Sequence, residues 1–124
     1  MGEAEELLSR ALAIEEDLEG YGGEEEKEDE IEGLLRRAAG HGLPRAQAEL
    51  GAFLWYVRED DEDAYPWLLR AAEADEPYAI NLLGDIHDFR GEPTEAIAWY
   101  EKGAALGDEL AAESLAALRK EISG

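Results

Sequence analysis

At 124 residues the chain is long enough for one domain with its own core, and its 45% apolar content is ordinary for a globular fold. The charge is not ordinary: 11 basic against 32 acidic residues leave −21, which repels nucleic acid and anionic membrane surfaces and attracts basic proteins and cations. With no cysteine, disulfides and thiolate metal sites are excluded.

The opening segment, MGEAEELLSR, is acidic and amphipathic and lacks the basic and apolar parts of a signal peptide. Glu6 stands where a myristoylation signal needs Ser or Thr. No apolar run approaches the roughly 18–20 residues of a membrane span, so the expectation is a soluble cytoplasmic protein. Helical patterns are predicted over residues 3–18 and 27–39, separated by the stretch GYGGEEEKEDE. The next two cover 44–58 and 63–74. In 77–90 the apolar residues Ala79, Ile80, Leu83, Ile86 and Phe89 recur at threes and fours, which is one helix face. Ala96, Ile97, Tyr100 and Ala104 repeat the pattern in 93–105. A last helix, 109–122, carries the line Leu110, Leu115, Leu118 and Ile122 and is expected to cover the end of a stack. Pro44, Pro77 and Pro93 suit first-turn positions, and Gly42, Gly91 and Gly107 suit helix ends. No segment reads as a strand.

The chain repeats itself. AAGHGLPRAQAELG, residues 38–51, returns 33 residues later as AAEADEPYAINLLG, 71–84, with Ala38, Ala39, Pro44, Ala46, Leu50 and Gly51 kept. A further shift of 32 places Ala64, Trp67 and Leu68 on Ala96, Trp99 and Tyr100. The predicted fold is all-α: a single domain, 1–124, of about three helix-turn-helix units (3–39, 44–74, 77–105) and a capping helix. Gly51 and Gly84 lie inside helical patterns, where Gly costs about 1 kcal/mol relative to Ala. Keeping both predicts that another helix crosses at that point.

LLGDIHDFRGEPTEAIAWYEKGAALGD, residues 82–108, resembles a tetratricopeptide repeat at Gly84, Ala96 and Tyr100, with His87 and Gly103 departing from the usual tyrosine and alanine. RAAGHGLPRAQAELG, 37–51, looks more like the Sel-one-like branch of that family. The resemblance spans 31–118. It implies a right-handed α-solenoid that binds proteins or peptides in a groove lined by the first helix of each pair. The groove positions it implies are Arg45, Ala48, Ala52, Trp55 and Tyr56, then Tyr78, Asn81, Asp85, Asp88 and Phe89, then Leu110, Glu113, Ala117 and Lys120.

Two acidic runs are expected to lie in the turns between paired helices and to stack into one rim: Glu24, Glu25, Glu26, Glu28, Asp29 and Glu30, then Glu59, Asp60, Asp61, Glu62 and Asp63. The plain reading is a solubilising edge; the sharper one is docking of a basic partner. Their spacing does not fit a calcium loop. Trp67 and Trp99, at equivalent positions, read as packing residues. His41 and His87 have no second histidine at helical spacing, so no metal or other cofactor is expected. No nucleophile elbow, phosphate loop or zinc motif occurs, which argues against an enzyme. The expected function is a non-enzymatic adaptor that binds a protein or peptide, with basic partners favoured by charge. The alternative is an acidic immunity or inhibitor protein that neutralises a basic toxin or nucleic-acid-binding protein. Direct nucleic-acid or membrane binding is not expected, and the oligomeric state is not legible.

Overall fold

Proline opens three helices. Pro44, Pro77 and Pro93 each sit in a first turn, where the missing N–H forfeits no helical bond. The computed structural model describes residues 2–17 and 25–124, and among them forms seven α-helices and no strand. They are α1 Glu3–Asp17, α2 Glu25–Gly40, α3 Pro44–Tyr56, α4 Asp61–Glu73, α5 Pro77–Phe89, α6 Pro93–Ala105 and α7 Glu109–Ser123.

α2 and α4 start two residues earlier than their apolar spacing predicts, and carboxylates are the reason. Glu25, Glu26 and Glu28 fill the first turn of α2, and Asp61, Glu62 and Asp63 that of α4. Negative charge is stabilised there by the positive end of the helix dipole. The Asp60 side chain adds a cap, accepting from the Asp63 backbone N–H at 3.1 Å. The acidic runs are therefore mostly helical rather than turns: residues 25–30 belong to α2 and 61–63 to α4, while Glu59 and Asp60 stay in the turn. Glu24 lies outside the described residues. The early start also leaves Pro66 inside α4, where it removes one helical hydrogen bond on an exposed face.

Helix ends follow the repeat. Gly42, Gly91 and Gly107 take φ of 87°, 74° and 90°. Asp75 is the counterpart of Gly42 and Gly107, and Glu59 of Gly91. Both still adopt the left-handed conformation, with φ of 59° and 53°. A side chain there costs roughly 1–2 kcal/mol.

The helices pack as α1 on α2, α3 on α4 and α5 on α6, with α2–α3, α4–α5 and α6–α7 contacts joining successive pairs. α3 also touches α5 directly, so first helices of neighbouring pairs share a layer. A Cβ at Gly51 would lie 2.5 Å from Leu68 Cδ2, and one at Gly84 within 2.9 Å of Tyr100 Cζ. The crossing expected at these glycines is thus the partner helix of the same pair, and Leu68 and Tyr100 are themselves repeat equivalents. A Cβ at Gly103 would meet Ala111 Cβ at 2.6 Å, at the α6–α7 junction. Phe53, Ile31, Leu35, Leu50, Leu68, Ile80, Leu83 and Ile86 are fully buried between these contacts. In α7 the expected apolar line splits: Leu115 and Leu118 are buried, but Leu110 and Ile122 are 56% and 55% exposed. Trp67 and Trp99 are partly buried against the core, each under a cation, Arg70 at 4.7 Å and Lys102 at 5.7 Å.

Candidate binding groove

The shared layer of α3 and α5 brings their C-terminal ends side by side. Trp55 and Phe89 meet there edge to face, with ring centroids 5.9 Å apart and planes at 87°, an arrangement favoured by the ring quadrupoles. Tyr56, Glu59, Asp61 and Asp85 join them around a pocket of about 460 Å³. Phe89 is 82% exposed, a large apolar ring held at the mouth rather than in the core.

The electrostatics of this face are uneven. The Tyr100 hydroxyl donates to Asp85 Oδ1 at 2.6 Å. Packed atoms around the Asp85 carboxyl push its pKa up, the Tyr100 bond opposes this, and Asp88 adds to it. Burial, helped by Asp85, also raises the Tyr56 hydroxyl. Toward the start of α5, burial pushes Tyr78 up to about 12, with Glu49, Tyr56 and Glu15 adding to the shift. Arg45 lies 5.8 Å over the Tyr78 ring and 3.8 Å from Glu49. Glu49 itself is raised by burial, with Glu15 and Glu76 adding to that and Arg45 opposing it. The shared layer of α3 and α5 therefore carries both aromatic rings and carboxylates. It offers apolar contact to an alkyl or aromatic group and a negative field to a cation.

No family model and no curated protein matches the chain. Its structure is similar to the crystal structure of a Sel1 repeat protein from Oxalobacter formigenes, with a TM-score of 0.74 at 25% sequence identity over 90% of this chain. The chain has a Sel1-like repeat fold. It spans about half of the length of that protein, 47%.

Within this Sel1-like stack the groove positions inferred from sequence divide. Trp55, Tyr56, Asp85 and Phe89 converge on the pocket; Arg45 and Tyr78 lie along the same layer. Asp88 is exposed beside Asp85. Asn81 is not an open groove residue: it is 8% exposed, and its Oδ1 is a buried side-chain atom without a hydrogen-bond partner among the described residues. Ala48 and Ala52 are also buried, in one cluster with Ala79, Ile80 and Leu83. Their small side chains let α5 approach α3 at these positions. Glu113, Ala117 and Lys120 are exposed on α7 and do not line the pocket. Glu49 was not singled out by the sequence pattern; its place opposite Tyr78 depends on the α3–α5 approach.

The acidic rim of the Sel1-like stack is laced by arginines. Arg58 donates to Glu32 and Asp29, each at 2.7 Å, and lies 5.3 Å over Phe53. Arg36 donates to Glu32 at 2.9 Å and to Asp63 at 2.5 Å, and Arg90 reaches Asp61 at 3.4 Å. The two runs do adjoin, but as halves of an ion-pair network. Burial pushes the Glu32 carboxyl up, yet the hydrogen bonds from Arg58 and Arg36 outweigh it and hold the pKa below the usual value.

His87 is turned inward. The Glu92 carboxylate accepts from Nδ1–H at 2.9 Å, and Nε2 is hydrogen-bonded to the Tyr65 hydroxyl at 2.8 Å. Among the described residues, no three His, Cys, Asp or Glu groups are placed to hold a metal, and no helix is long and apolar enough to cross a membrane.

Proposed function

We propose that the chain is a non-enzymatic protein-interaction module that takes a segment of another protein along the inner layer of α3 and α5. The Sel1-like repeat fold points generally to protein–protein interaction, and the convergence of Trp55, Tyr56, Asp85 and Phe89 from two successive units is what supports this particular groove. Exposed aromatic anchors flanked by polar groups are the usual hot spots of an interface. The carboxylates of the inner layer favour a basic segment.

The rim favours no second reading. Asp29, Asp61 and Asp63 of the rim are bonded to arginines of the chain itself, so these carboxylates already have partners.

The test is selection of binders from a displayed random-peptide library, followed by affinity measurement on Tyr56→Ala/Phe89→Ala protein. Enriched peptides should lose at least about tenfold in affinity, roughly 1.4 kcal/mol, with helicity unchanged. Failure to enrich any peptide, or peptides that bind the double variant as well as the parent, would remove the groove.

A further inference from the structure

Three arginines of the chain are seated alike. Arg58 lies over Phe53 and bonds Glu32 and Asp29; Arg90 lies 5.5 Å over Tyr65 and bonds Asp61; Arg45 lies over Tyr78 beside Glu49. Each seat combines an aromatic face with one to three carboxylates, Glu28 being the third beside Arg58. A guanidinium suits both, because it is planar, weakly hydrated and presents its donors in a fork.

The α3–α5 pocket combines the same two kinds of group, with three aromatic residues and the acidic residues Glu59 and Asp85, beside an Asp61 already held by Arg90, around about 460 Å³. That volume is within the range of roughly 300–1,000 Å³ in which ligand sites fall. Glu59 is one of the residues that line the pocket. Its counterpart one unit later is Gly91, so the acidic side chain is particular to this unit.

We propose that this pocket seats one arginine side chain of the bound protein, with its guanidinium against the Trp55–Phe89 pair and hydrogen-bonded by Glu59 and Asp85. The proposal rests on the groove reading above and gives it a chemical specificity. A lysine ammonium is compact and strongly hydrated and has no planar face to lay on the rings. Citrulline keeps the plane and loses the charge.

The test is titration of ¹⁵N-labelled protein with N-acetyl-arginine amide, and separately with its lysine and citrulline counterparts. Saturable shifts are expected at the Trp55 indole N–H and the Phe89 amide. Arginine should bind at least about tenfold more tightly than citrulline and severalfold more tightly than lysine. Glu59→Gln and Phe89→Ala should each weaken it severalfold or more, and both variants keep the fold because these side chains are exposed. Equal affinity for citrulline or lysine, or shifts confined to residues 25–30, would overturn the proposal. A library-selected peptide is titrated in parallel. If it binds the inner layer while arginine amide leaves Trp55 unmoved, the arginine seat fails and the groove stands; if neither binds, both fail.

Discussion

Replacing Gly84 with alanine adds one methyl group to a helix, and in an exposed helix that change would stabilise by about 1 kcal/mol. Here the opposite sign is expected. The new Cβ would fall inside contact distance of the Tyr100 ring, 2.9 Å from Cζ and nearer still to the ring edge. Tyr100 has little room to withdraw, because it packs with Ala96, Leu115 and Leu118 and its hydroxyl is bonded to Asp85. Overpacking of a filled core costs typically 1–3 kcal/mol, and a strained hydrogen bond about 1 kcal/mol more. After the propensity gain, a net loss of about 1–3 kcal/mol remains. Urea unfolding followed by far-ultraviolet circular dichroism reads this as a lower midpoint at unchanged slope. The Tyr100→Ala background supplies the control: with the ring gone, Gly84→Ala should stabilise by about 1 kcal/mol. Parent-like or higher stability of Gly84→Ala with Tyr100 in place would refute the close crossing.

Other substitutions probe the turns and the rim. Glu59→Gly should raise stability by about 1 kcal/mol by relieving the left-handed glutamate, while weakening arginine binding; loss of stability would contradict the strain assignment. Arg58→Ala leaves Glu32 and Asp29 without their shared donor and should cost about 1–3 kcal/mol in the same unfolding assay, with little loss if the network is cosmetic. Glu32 has a folded pKa below its unfolded one, so its stabilisation is present above the unfolded value and is lost as pH falls through the folded value. Glu32→Gln should therefore destabilise most at neutral pH, and its difference from the parent should shrink as pH falls below the ordinary carboxylate range; a difference independent of pH would overturn this.

The repeat offset made most of the architecture readable. Gly51 and Gly84, spaced by 33, supply one side of a recurring contact, and Leu68 and Tyr100, spaced by 32, supply the other. Apolar spacing placed the helices, but it missed the starts of α2 and α4, since a capping aspartate and first-turn carboxylates extend a helix without joining its apolar face. Trp55, Tyr56, Asp85 and Phe89 were named from the family resemblance, and the α3–α5 contact draws them together. Asn81 was named on the same basis, yet that contact withdraws it from solvent. The rim network was not legible, because Arg58 meets Asp29 and Arg36 meets Asp63 across 29 and 27 residues, and such pairings depend on how α2 adjoins the α3–α4 turn and the start of α4. Glu59 and Asp75 stand where other units have Gly91 and Gly42, and a carboxylate at those positions gives no sign of a left-handed backbone.

The groove itself is tested most directly by site-specific photocrosslinking. A benzophenone side chain is placed at position 89 in the pocket mouth or at exposed Glu95 on α6, and the protein is irradiated in native extract. The account predicts covalent adducts with a discrete partner from position 89, abolished by excess library-selected peptide, and none from 95. Adducts from 95 with none from 89 would put the binding face on the opposite side of the stack.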